Sequence, residues 1–401
     1  MKIGFDAKRA AQNRTGLGNY SRFIIRILSE RFADNSYHLY TPKPHRTPYL
    51  SEIPTLSQLS LHFPPKGIWS KLRSIWRIWG MTQDIQKEDI DIFHGLSNEL
   101  PLNIGSPIHR KEKWGDKRCR YIVTIHDLIF IHTPQYYHWI DRHIYNFKFR
   151  RACQCADRVI AVSEYTRQEI IRYYHIPKDK IDVVYQGCDP VFAKDIDESK
   201  LMEVKKKYQL PEKFVLYVGS IEKRKNLLLV AKAIAHLNQQ EKKNNKTADE
   251  KESIHVVAVG RRTPYVDQIQ AFLKTQGIEH LFHFHHKVPY EDLPSFYKLA
   301  RTFAYPSRIE GFGIPLLEAI TSGVPAIGCT GSCLEEAGGP DSLYVAPDDT
   351  EGMADAIIRT CTDKTLRQQM IAKGKEYARN FTDEKLSQDL MEVYRKVEAE
   401  T

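Results

Sequence analysis

The sequence predicts an α/β protein built from two doubly wound, Rossmann-like domains. Short apolar runs alternate with amphipathic helical segments along the 401 residues, a pattern typical of βαβ units with parallel strands. The alternation pauses in the polar stretch 189–207 and restarts at a new apolar run, Phe214 to Val218. The length fits two or three domains. We therefore expect an N-terminal domain over 1–190 and a C-terminal domain over 191–383, with a last helix, about 384–401, that can pack back on the first.

The composition excludes several classes of protein. A formal net charge of +9 indicates an anionic partner, such as a nucleotide, a phospholipid surface or nucleic acid. No run of about 18 apolar residues is present, so no membrane-spanning segment is predicted. The N-terminal apolar segment is broken by Asp6 and is predicted to be a first strand, not a signal peptide. The seven cysteines lack histidines at zinc-ligand spacing, which predicts free thiols in a reducing cytoplasm.

A glycine-containing segment follows the first strand, Met1 to Phe5. Gly16 and Gly18 are predicted to lie in a loop that opens a helix. The apolar face of that helix comprises Tyr20, Phe23, Ile24 and Ile27. Ser21 takes the place of the third glycine of a dinucleotide-binding fingerprint, so the cofactor signal is weak. The segment predicts a flexible loop that faces a ligand.

An aromatic and basic segment, Phe63 to Ile85, follows a second strand at His38 to Thr41. One face of its predicted helix comprises Leu72, Ile75, Trp76 and Trp79. Such a helix can lie on an anionic membrane with its tryptophans at headgroup level, or it can pack on its own domain. The sequence leaves both open. Further on, the basic segment 105–120 is predicted to be a long mobile loop.

The best candidate of the first domain is a histidine at the end of a strand. After a strand at Ile90 to His94, the β-branched run Tyr121 to Ile125 predicts a buried strand that His126 follows directly. Ligands of open α/β sheets bind beyond the carboxyl ends of the strands, which makes His126 a site candidate. A structural histidine bonded to a backbone carbonyl is the alternative.

The alternation continues to the end of the first domain. Strands are predicted at Arg158 to Ser163 and Ile181 to Tyr185. A helix is predicted at Glu164 to Tyr174, with Ser163 as its N-cap. The polar stretch 189–207 is predicted to be the linker.

The second domain begins with a strand and a basic cluster. The strand Phe214 to Val218 is followed by Lys223, Arg224 and Lys225, before a helix that opens near Asn226. A solvated basic run is the ordinary explanation of three adjacent charges. Here the position beyond the carboxyl end of a strand predicts an anion site, such as one for a diphosphate.

The middle of the second domain offers no metal site. The charged stretch 237–253 is predicted to be disorder-prone. Strands are predicted at Ile254 to Val259 and Leu281 to Phe284, and a short helix at Pro294 to Leu299. No carboxylates are arranged around the local histidines, so we predict no metal there. These histidines are His280, His283, His285 and His286.

The chemistry is predicted in the stretch 306–323, after a strand at Thr302 to Tyr305. Gly311 and Gly313 allow the backbone to turn and approach a ligand closely. Pro315 suits the first turn of the helix that follows. The open N–H groups and positive dipole end of such a helix suit a phosphate.

Two glutamates bracket this helix start. Glu310 precedes the helix, and Glu318 lies in its first turns. Solvated glutamates at a strand-to-helix joint are the alternative, but two acids beside a phosphate site favour a functional site. The apolar face of the helix comprises Leu316, Leu317, Ala319 and Ile320. The remaining predicted elements are strands at Val324 to Ile327 and Leu343 to Val345, a turn or helix start at Ser332 to Glu336, and helices over 350–400 with a break at Phe381-Thr382.

On these residues the chain resembles the retaining GT-B glycosyltransferases of family 4, which use nucleotide sugars. The matching segments are VGSIEKRKN, KVPYEDLPSFYKLA and YPSRIEGFGIPLLEAITSGVPAI in the second half, with TGLGNYSR and TIHDL in the first. The E-x7-E pair of EGFGIPLLE is highly specific, whereas the first-half motifs alone are weak. The likeness runs over nearly the whole chain and implies two Rossmann-like domains that face a central cleft.

The resemblance also implies roles for the matched residues. Glu310 would contact hydroxyls of the donor sugar, Glu318 would bind the ribose hydroxyls, and Arg224 with Lys225 would neutralise the diphosphate. The implied catalytic residues are His126, Glu310, Arg224 and Lys225. The implied donor-binding residues are Gly16, Gly18, Ser220, Arg224, Lys225, Val288, Glu310, Gly311, Phe312, Gly313, Ile314, Leu316, Leu317 and Glu318. Val288 would contact the base through its backbone, and His126 would lie by the transferred sugar.

The implied reaction is sugar transfer with retention and without a divalent metal or other cofactor. Many relatives carry arginine where this chain has Ser220, so Arg224 and Lys225 are expected to do more of the phosphate work. A glycosidase-like acid and nucleophile pair would need carboxyl groups about 5–5.5 Å apart. One acid in the loop and one in the helix make that arrangement improbable.

The resemblance favours GDP-mannose as donor, with UDP-sugars open. The expected acceptor is a glycan or lipid-linked oligosaccharide of surface-polysaccharide assembly, reached from the cytoplasmic side with peripheral contact to an anionic membrane and no nucleic acid. A GT-B nucleotide-sugar epimerase and a non-catalytic sugar-binding protein are the alternatives. A dehydrogenase is disfavoured because the glycine fingerprint is incomplete.

Overall fold

The computed structural model describes residues 1–44, 47–104, 119–243 and 254–399. The loop predicted at 105–120 lies outside these residues except for its last two positions. Residues 244–253 of the predicted disorder-prone stretch also lie outside the described residues. The part from Leu237 to Lys243 is helical, so the prediction of disorder is wrong there.

The chain divides into two compact units. The first comprises Met1–Gln186 with Asp383–Thr401, and the second comprises Gly187–Thr382. The division falls before Gly187, whereas the sequence placed it after residue 190. The C-terminal helix Asp383–Ala399 belongs to the first unit, and it begins one residue before the predicted start.

The first unit contains a seven-stranded parallel sheet in the order β3-β2-β1-β4-β5-β6-β7. Three of its central strands are buried along most of their length, which explains their nearly continuous apolar sequences. The strands are β1 (Lys2–Asp6), β2 (Ser36–Tyr40), β3 (Ser60–His62), β4 (Ile92–Gly95), β5 (Arg120–Ile125), β6 (Arg158–Ala161) and β7 (Ile181–Val183).

The second unit contains a six-stranded parallel sheet in the order β10-β9-β8-β11-β12-β13. Both orders reverse direction beside a central strand, as expected for doubly wound units. The strands are β8 (Phe214–Val218), β9 (His255–Val259), β10 (Phe282–His285), β11 (Thr302–Tyr305), β12 (Ala326–Cys329) and β13 (Leu343–Val345).

Helices connect the strands. Those of the first unit are Lys8–Gln12, Gly16–Arg31, Ile68–Lys71, Arg73–Ile75, the π-helix Trp76–Gly80, Met81–Lys87, Ile129–His132, Trp139–Cys155, Glu164–Tyr174 and Asp383–Ala399. Those of the second are Glu198–Tyr208, Leu227–Lys243, Tyr265–Gln276, Leu293–Leu299, Ile314–Thr321, Leu334–Gly338, Thr350–Thr362 and Lys364–Ala378. Short 3-10 turns occur at Leu50–Glu52, Leu56–Gln58, Pro134–Tyr136, Lys178–Lys180, Pro190–Ala193, Lys223–Lys225, Glu279–Leu281, Tyr290–Asp292 and Arg379–Phe381.

Several predicted bounds are confirmed. The helix Glu164–Tyr174 begins as expected, because the Ser163 hydroxyl accepts a hydrogen bond from the Thr166 amide. The strands β8, β11 and β13 have the predicted bounds, and the C-terminal helices break at Phe381 and Thr382. All seven cysteines are free thiols.

Three predictions about local structure are wrong. Gly16 and Gly18 lie in the first turn of the helix Gly16–Arg31, not in a loop. The predicted linker contains the helix Glu198–Tyr208. Its sequence is mostly charged and has one buried residue, Val204, so it shows little apolar periodicity. Trp76 is fully buried, so it does not share an exposed face with Trp79.

Candidate active site

The stretch predicted to hold the chemistry forms a tight joint between β11 and the helix Ile314–Thr321. Gly313 caps this helix with a φ of 116°, a conformation that favours glycine. A Cβ at this position would lie 2.7 Å from Leu334 Cδ2, so the joint also needs the missing side chain for packing. Pro315 lies in the first turn, as predicted, where its missing N–H costs nothing. The joint thus begins the helix four residues after Glu310.

Glu310 lies at the centre of a dense cluster of donors. Its Oε1 accepts from Lys225 Nζ at 2.6 Å and from Ser307 Oγ at 2.6 Å. Tyr305 Oη donates to the same oxygen at 3.1 Å, and Arg224 NH1 lies 3.1 Å from it. Among the described residues, every hydrogen bond to this carboxylate ends at Oε1. A ligand hydroxyl can therefore use Oε2.

The cluster keeps Glu310 ionised. Burial alone would raise its pKa, but Lys225 and Arg224, with the hydrogen bonds from Lys225 and Ser307, lower the pKa to about 2. A carboxylate that stays charged at every working pH accepts hydrogen bonds from sugar hydroxyls and cannot act as a general acid. This environment suits the positioning of a donor sugar.

Backbone contacts fix the two cations. Arg224 and Lys225 lie in the 3-10 turn Lys223–Lys225, which ends at Asn226 in the left-handed region. The Arg224 carbonyl accepts from the Arg308 amide at 3.0 Å, and its guanidinium donates to the Ile309 carbonyl at 2.6 Å. These bonds join the basic turn to the Glu310 loop. The predicted cluster of Arg224, Lys225 and Glu310 is therefore brought together by the structure.

Glu318 has a different environment. It is buried on the helix Ile314–Thr321 and accepts a hydrogen bond from Tyr297 Oη at 2.7 Å. Burial raises its pKa to about 8. The hydrogen bond from Tyr297 lowers the pKa, and the charge of Asp189 raises it to a smaller extent. Among the described residues, Glu318 and Glu310 have no hydrogen-bond partner in common. The pKa of Glu310 is lowered by its cations and that of Glu318 is raised by burial, and each carboxyl group contacts its own set of side chains.

The other predicted donor-binding residues lie nearby in the second unit. Leu316 and Leu317 are buried in the helix core, and Phe312 packs on Phe381. These three buried side chains pack the joint between β11 and the helix, so only their backbone groups can contact a ligand. Ser220 follows β8 and its carbonyl accepts from Tyr217 Oη at 3.0 Å. Val288 is half-buried after β10. Both therefore follow the carboxyl ends of strands.

His126 is buried at the end of β5 in the first unit, and both of its ring nitrogens are occupied. Nε2 lies 2.9 Å from the Leu96 carbonyl, which can only accept, so Nε2 carries the proton. Nδ1 then accepts from Gln186 Nε2 at 3.0 Å. Burial lowers the pKa of His126 to about 4, so the ring is neutral. His126 therefore matches the alternative of a histidine that is bonded to a backbone carbonyl.

Gly16 and Gly18, the two predicted site glycines of the first unit, differ in their surroundings. A Cβ at Gly18 would lie 1.8 Å from the Asn13 carbonyl oxygen, which explains why glycine is required. Gly16 is exposed, and a Cβ there would meet nothing within 4 Å. Tyr20, one turn further along, contacts the His126 ring edge-on with centroids 4.5 Å apart. The first turn of this helix and His126 therefore belong to one region.

Sequence reasoning missed four residues of these two regions. Ser307 and Tyr305 lie in the same segment as Glu310, YPSRIEGFGIPLLEAITSGVPAI. Their polar side chains, three and five positions before Glu310, were the signal that could have found them. Tyr297 and Gln186 reach Glu318 and His126 from 21 and 60 positions away, and no local pattern marks them.

Among the described residues, none of the predicted site residues belongs to a group of potential metal ligands. No helix within the described ranges has the length and apolar content needed to cross a bilayer.

Comparison with known proteins matches both halves of the chain. Residues 200–377 match the family model described as glycosyl transferases group 1, and residues 16–192 match that of glycosyltransferase family 4. The chain is 29% identical to O-antigen chain mannosyltransferase B of Escherichia coli, over 98% of this chain and 100% of that protein. It is 27% identical to O-antigen chain mannosyltransferase RfbU of Salmonella typhimurium, over 59% of each.

A solved structure shows the same fold over the full length. Sucrose-phosphate synthase of Thermosynechococcus elongatus matches with a TM-score of 0.73 at 18% identity, covering 100% of both chains. Both predicted Rossmann-like units are thus confirmed as a GT-B fold.

Proposed function

The chain belongs to the GT-B glycosyltransferases of family 4, and from this membership we propose that it transfers mannose from GDP-mannose, with retention, to a glycan or lipid-linked oligosaccharide of a surface polysaccharide such as an O-antigen. The observation that carries the proposal is the ionised Glu310, held by Lys225 and Arg224 beside a helix start. The full-length similarity to an O-antigen mannosyltransferase supports the choice of sugar.

The cations would stabilise the leaving group. As the bond from mannose C1 to the phosphate oxygen breaks, the electron pair leaves with GDP and negative charge grows on its phosphates. Lys225 has three N–H donors, of which two contact Tyr305 and Glu310. The third can reach a phosphate oxygen. Arg224 would add a second positive charge, and the backbone at Gly313 and Ile314 would add N–H donors.

Glu310 would orient the sugar. Its free oxygen can accept from mannose hydroxyls, which places C1 for attack while the oxocarbenium-like charge develops. The acceptor oxygen would bond to C1 on the face from which GDP departs, and its proton would pass to the leaving phosphate. Because Glu310 is held by four donors, it would act as a positioning carboxylate and not as a covalent nucleophile.

The remaining contacts would select the nucleotide. Glu318 would bind the ribose hydroxyls, Val288 the base through its backbone, and Ser220 would lie by the phosphates. On the acceptor side, His126, Gly16 and Gly18 would face the transferred sugar or the acceptor. This chemistry assigns phosphate neutralisation to Arg224 and Lys225, so we propose that transfer needs no divalent metal and no other cofactor.

The proposed acceptor would be reached at a membrane surface. Ile68, Leu72, Ile75 and Trp79 recur at helical spacing and are 41% to 67% exposed. Lys71 is exposed between them, which suits anionic headgroups. We expect the protein to sediment with vesicles containing anionic phospholipid and to lose that binding in Ile68→Ser with Trp79→Ser. Equal sedimentation of the double variant would remove this part of the proposal.

A thermal-shift screen of nucleotides tests the donor. GDP and GDP-mannose should raise the unfolding midpoint more than UDP and UDP-glucose, because a ligand that binds only the folded state stabilises it by mass action. The reverse order would favour a UDP-sugar. A shift without product in the presence of acceptor would favour the sugar-binding alternative, and a changed donor sugar without acceptor consumption would favour an epimerase.

A further inference from the structure

A second cluster of side chains lies in the first unit, on β2 and β3. His38 lies within β2, His62 ends β3, and Glu88 follows the helix Met81–Lys87. His38 Nδ1 and His62 Nε2 are 2.9 Å apart. One ligand atom from each of the three side chains lies within 4.8 Å of the others. We propose that His38, His62 and Glu88 bind a divalent transition metal ion, with Zn²⁺ as the best fit.

The donor set selects the class of ion. Two imidazole nitrogens and one carboxylate oxygen are preferred by zinc and its neighbours, whereas magnesium and calcium prefer oxygen ligands alone. Zinc–nitrogen bonds of about 2.0–2.1 Å place tetrahedral ligands about 3.3 Å apart. The two nitrogens would need to separate by only a few tenths of an ångström, and water would complete the coordination.

The surroundings hold the ligand atoms close together. His38 Nδ1 and His62 Nε2 already lie 2.9 Å apart, and neutral imidazole nitrogens are good ligands for zinc. The Tyr40 ring stacks on His62 at 4.6 Å and fixes its plane. Glu88 is exposed, so its carboxylate can rotate toward the pair. Within the described ranges no ion pair engages that carboxylate.

A bound ion would join three elements of the first unit. The strand β3 is three residues long and, within the part of the chain that the structure describes, forms the edge of the sheet beside β2. Coordination by His38, His62 and Glu88 would connect β3, β2 and the end of Met81–Lys87. The ion would stabilise this edge and would take no part in sugar transfer, so the inference is independent of the proposed function.

The chain contains a matched control for a simple hydrogen-bonded histidine pair. His255 Nδ1 and His283 Nε2 are 3.1 Å apart on β9 and β10. Among the described residues, this pair has no carboxylate close enough to complete a metal-ligating group. If His38 and His62 formed nothing more than a hydrogen-bonded pair, substitutions in either pair would have the same effect on zinc binding.

The test is calorimetric titration of the chelator-treated full chain with ZnCl₂, combined with thermal unfolding. We expect one equivalent to bind and to raise the unfolding midpoint. Binding should be about tenfold or more weaker in Glu88→Gln and His62→Asn, and unchanged in His283→Asn. Glu88 is exposed, so its variant should fold even if His62→Asn does not. Absence of binding, or equal binding by wild type and Glu88→Gln, would overturn the proposal.

Discussion

At the scale of single residues, two glutamates eight positions apart have pKa values shifted in opposite directions. Four donors hold Glu310 as an anion, whereas Glu318 is buried with one tyrosine hydroxyl. The spacing in EGFGIPLLE predicted both as site residues but could not reveal this difference, because the donors come from three other segments. The opposite pKa shifts of the two carboxyl groups follow from those partners.

The buried Glu318 predicts a pH-dependent stability. Its pKa is about 8 in the folded chain against an ordinary value of 4.5. Between these values the unfolded state releases a proton that the folded state keeps, so stability falls as pH rises through this window. Glu318→Gln removes the effect. Its unfolding free energy relative to wild type should increase from pH 5 to pH 8 by on the order of 3 kcal/mol.

Denaturant unfolding at several pH values measures this difference. Glu222→Gln is the matched control, since Glu222 pairs with Arg224 at the surface of the same site. Its difference from wild type shows the effect of removing one carboxylate of the same region at each pH. A Glu318→Gln difference that does not vary with pH would show that this carboxyl is already ionised in the folded protein.

At the scale of elements, the C-terminal helix completes a buried polar network in the first unit. Tyr394 Oη lies 2.7 Å from His94 Nδ1, and His94 Nε2 lies 2.8 Å from Thr124 Oγ1. Tyr20 Oη lies 3.2 Å from the same threonine oxygen. Tyr20 also contacts the His126 ring, so the network extends from the C-terminal helix to His126.

Tyr394→Phe should therefore destabilise the protein. The substitution leaves His94 with an unpaired buried nitrogen, at a cost of about 1–3 kcal/mol. Tyr377→Phe is the control, because its hydroxyl donates to the Glu336 carbonyl in a half-buried position of the second unit. Thermal unfolding of both variants provides the comparison. A smaller loss in Tyr394→Phe than in Tyr377→Phe would contradict the importance of the network.

The elements also show where prediction from sequence succeeds. Buried parallel strands such as β8 and β11 are apolar on both faces, so their runs mark them clearly. The helix Glu198–Tyr208 buries only Val204 and is otherwise rich in lysine, so its sequence resembles that of a linker. Glycines usually indicate a loop, but Gly18 lies within a helix because a side chain there would collide with the Asn13 carbonyl.

At the scale of the whole molecule, the sequence predicted two Rossmann-like units and the clustering of charges in the second. Arg224, Lys225 and Glu310 each follow a strand, and parallel strands bring such residues to one edge of a sheet. Gln186 and Tyr297 could not be predicted, because only the folded chain brings them beside His126 and Glu318.

The most direct test of the account is transfer from GDP-mannose to an oligosaccharide acceptor, with the product anomer determined by NMR. Wild type should form GDP and an α-linked mannoside, with the same rate in EDTA. Glu310→Gln should lose most of this activity, since the sugar and the cations lose their common partner, while Glu222→Gln should keep it. Turnover by Glu310→Gln at the wild-type rate, or a β-linked product, would contradict the account.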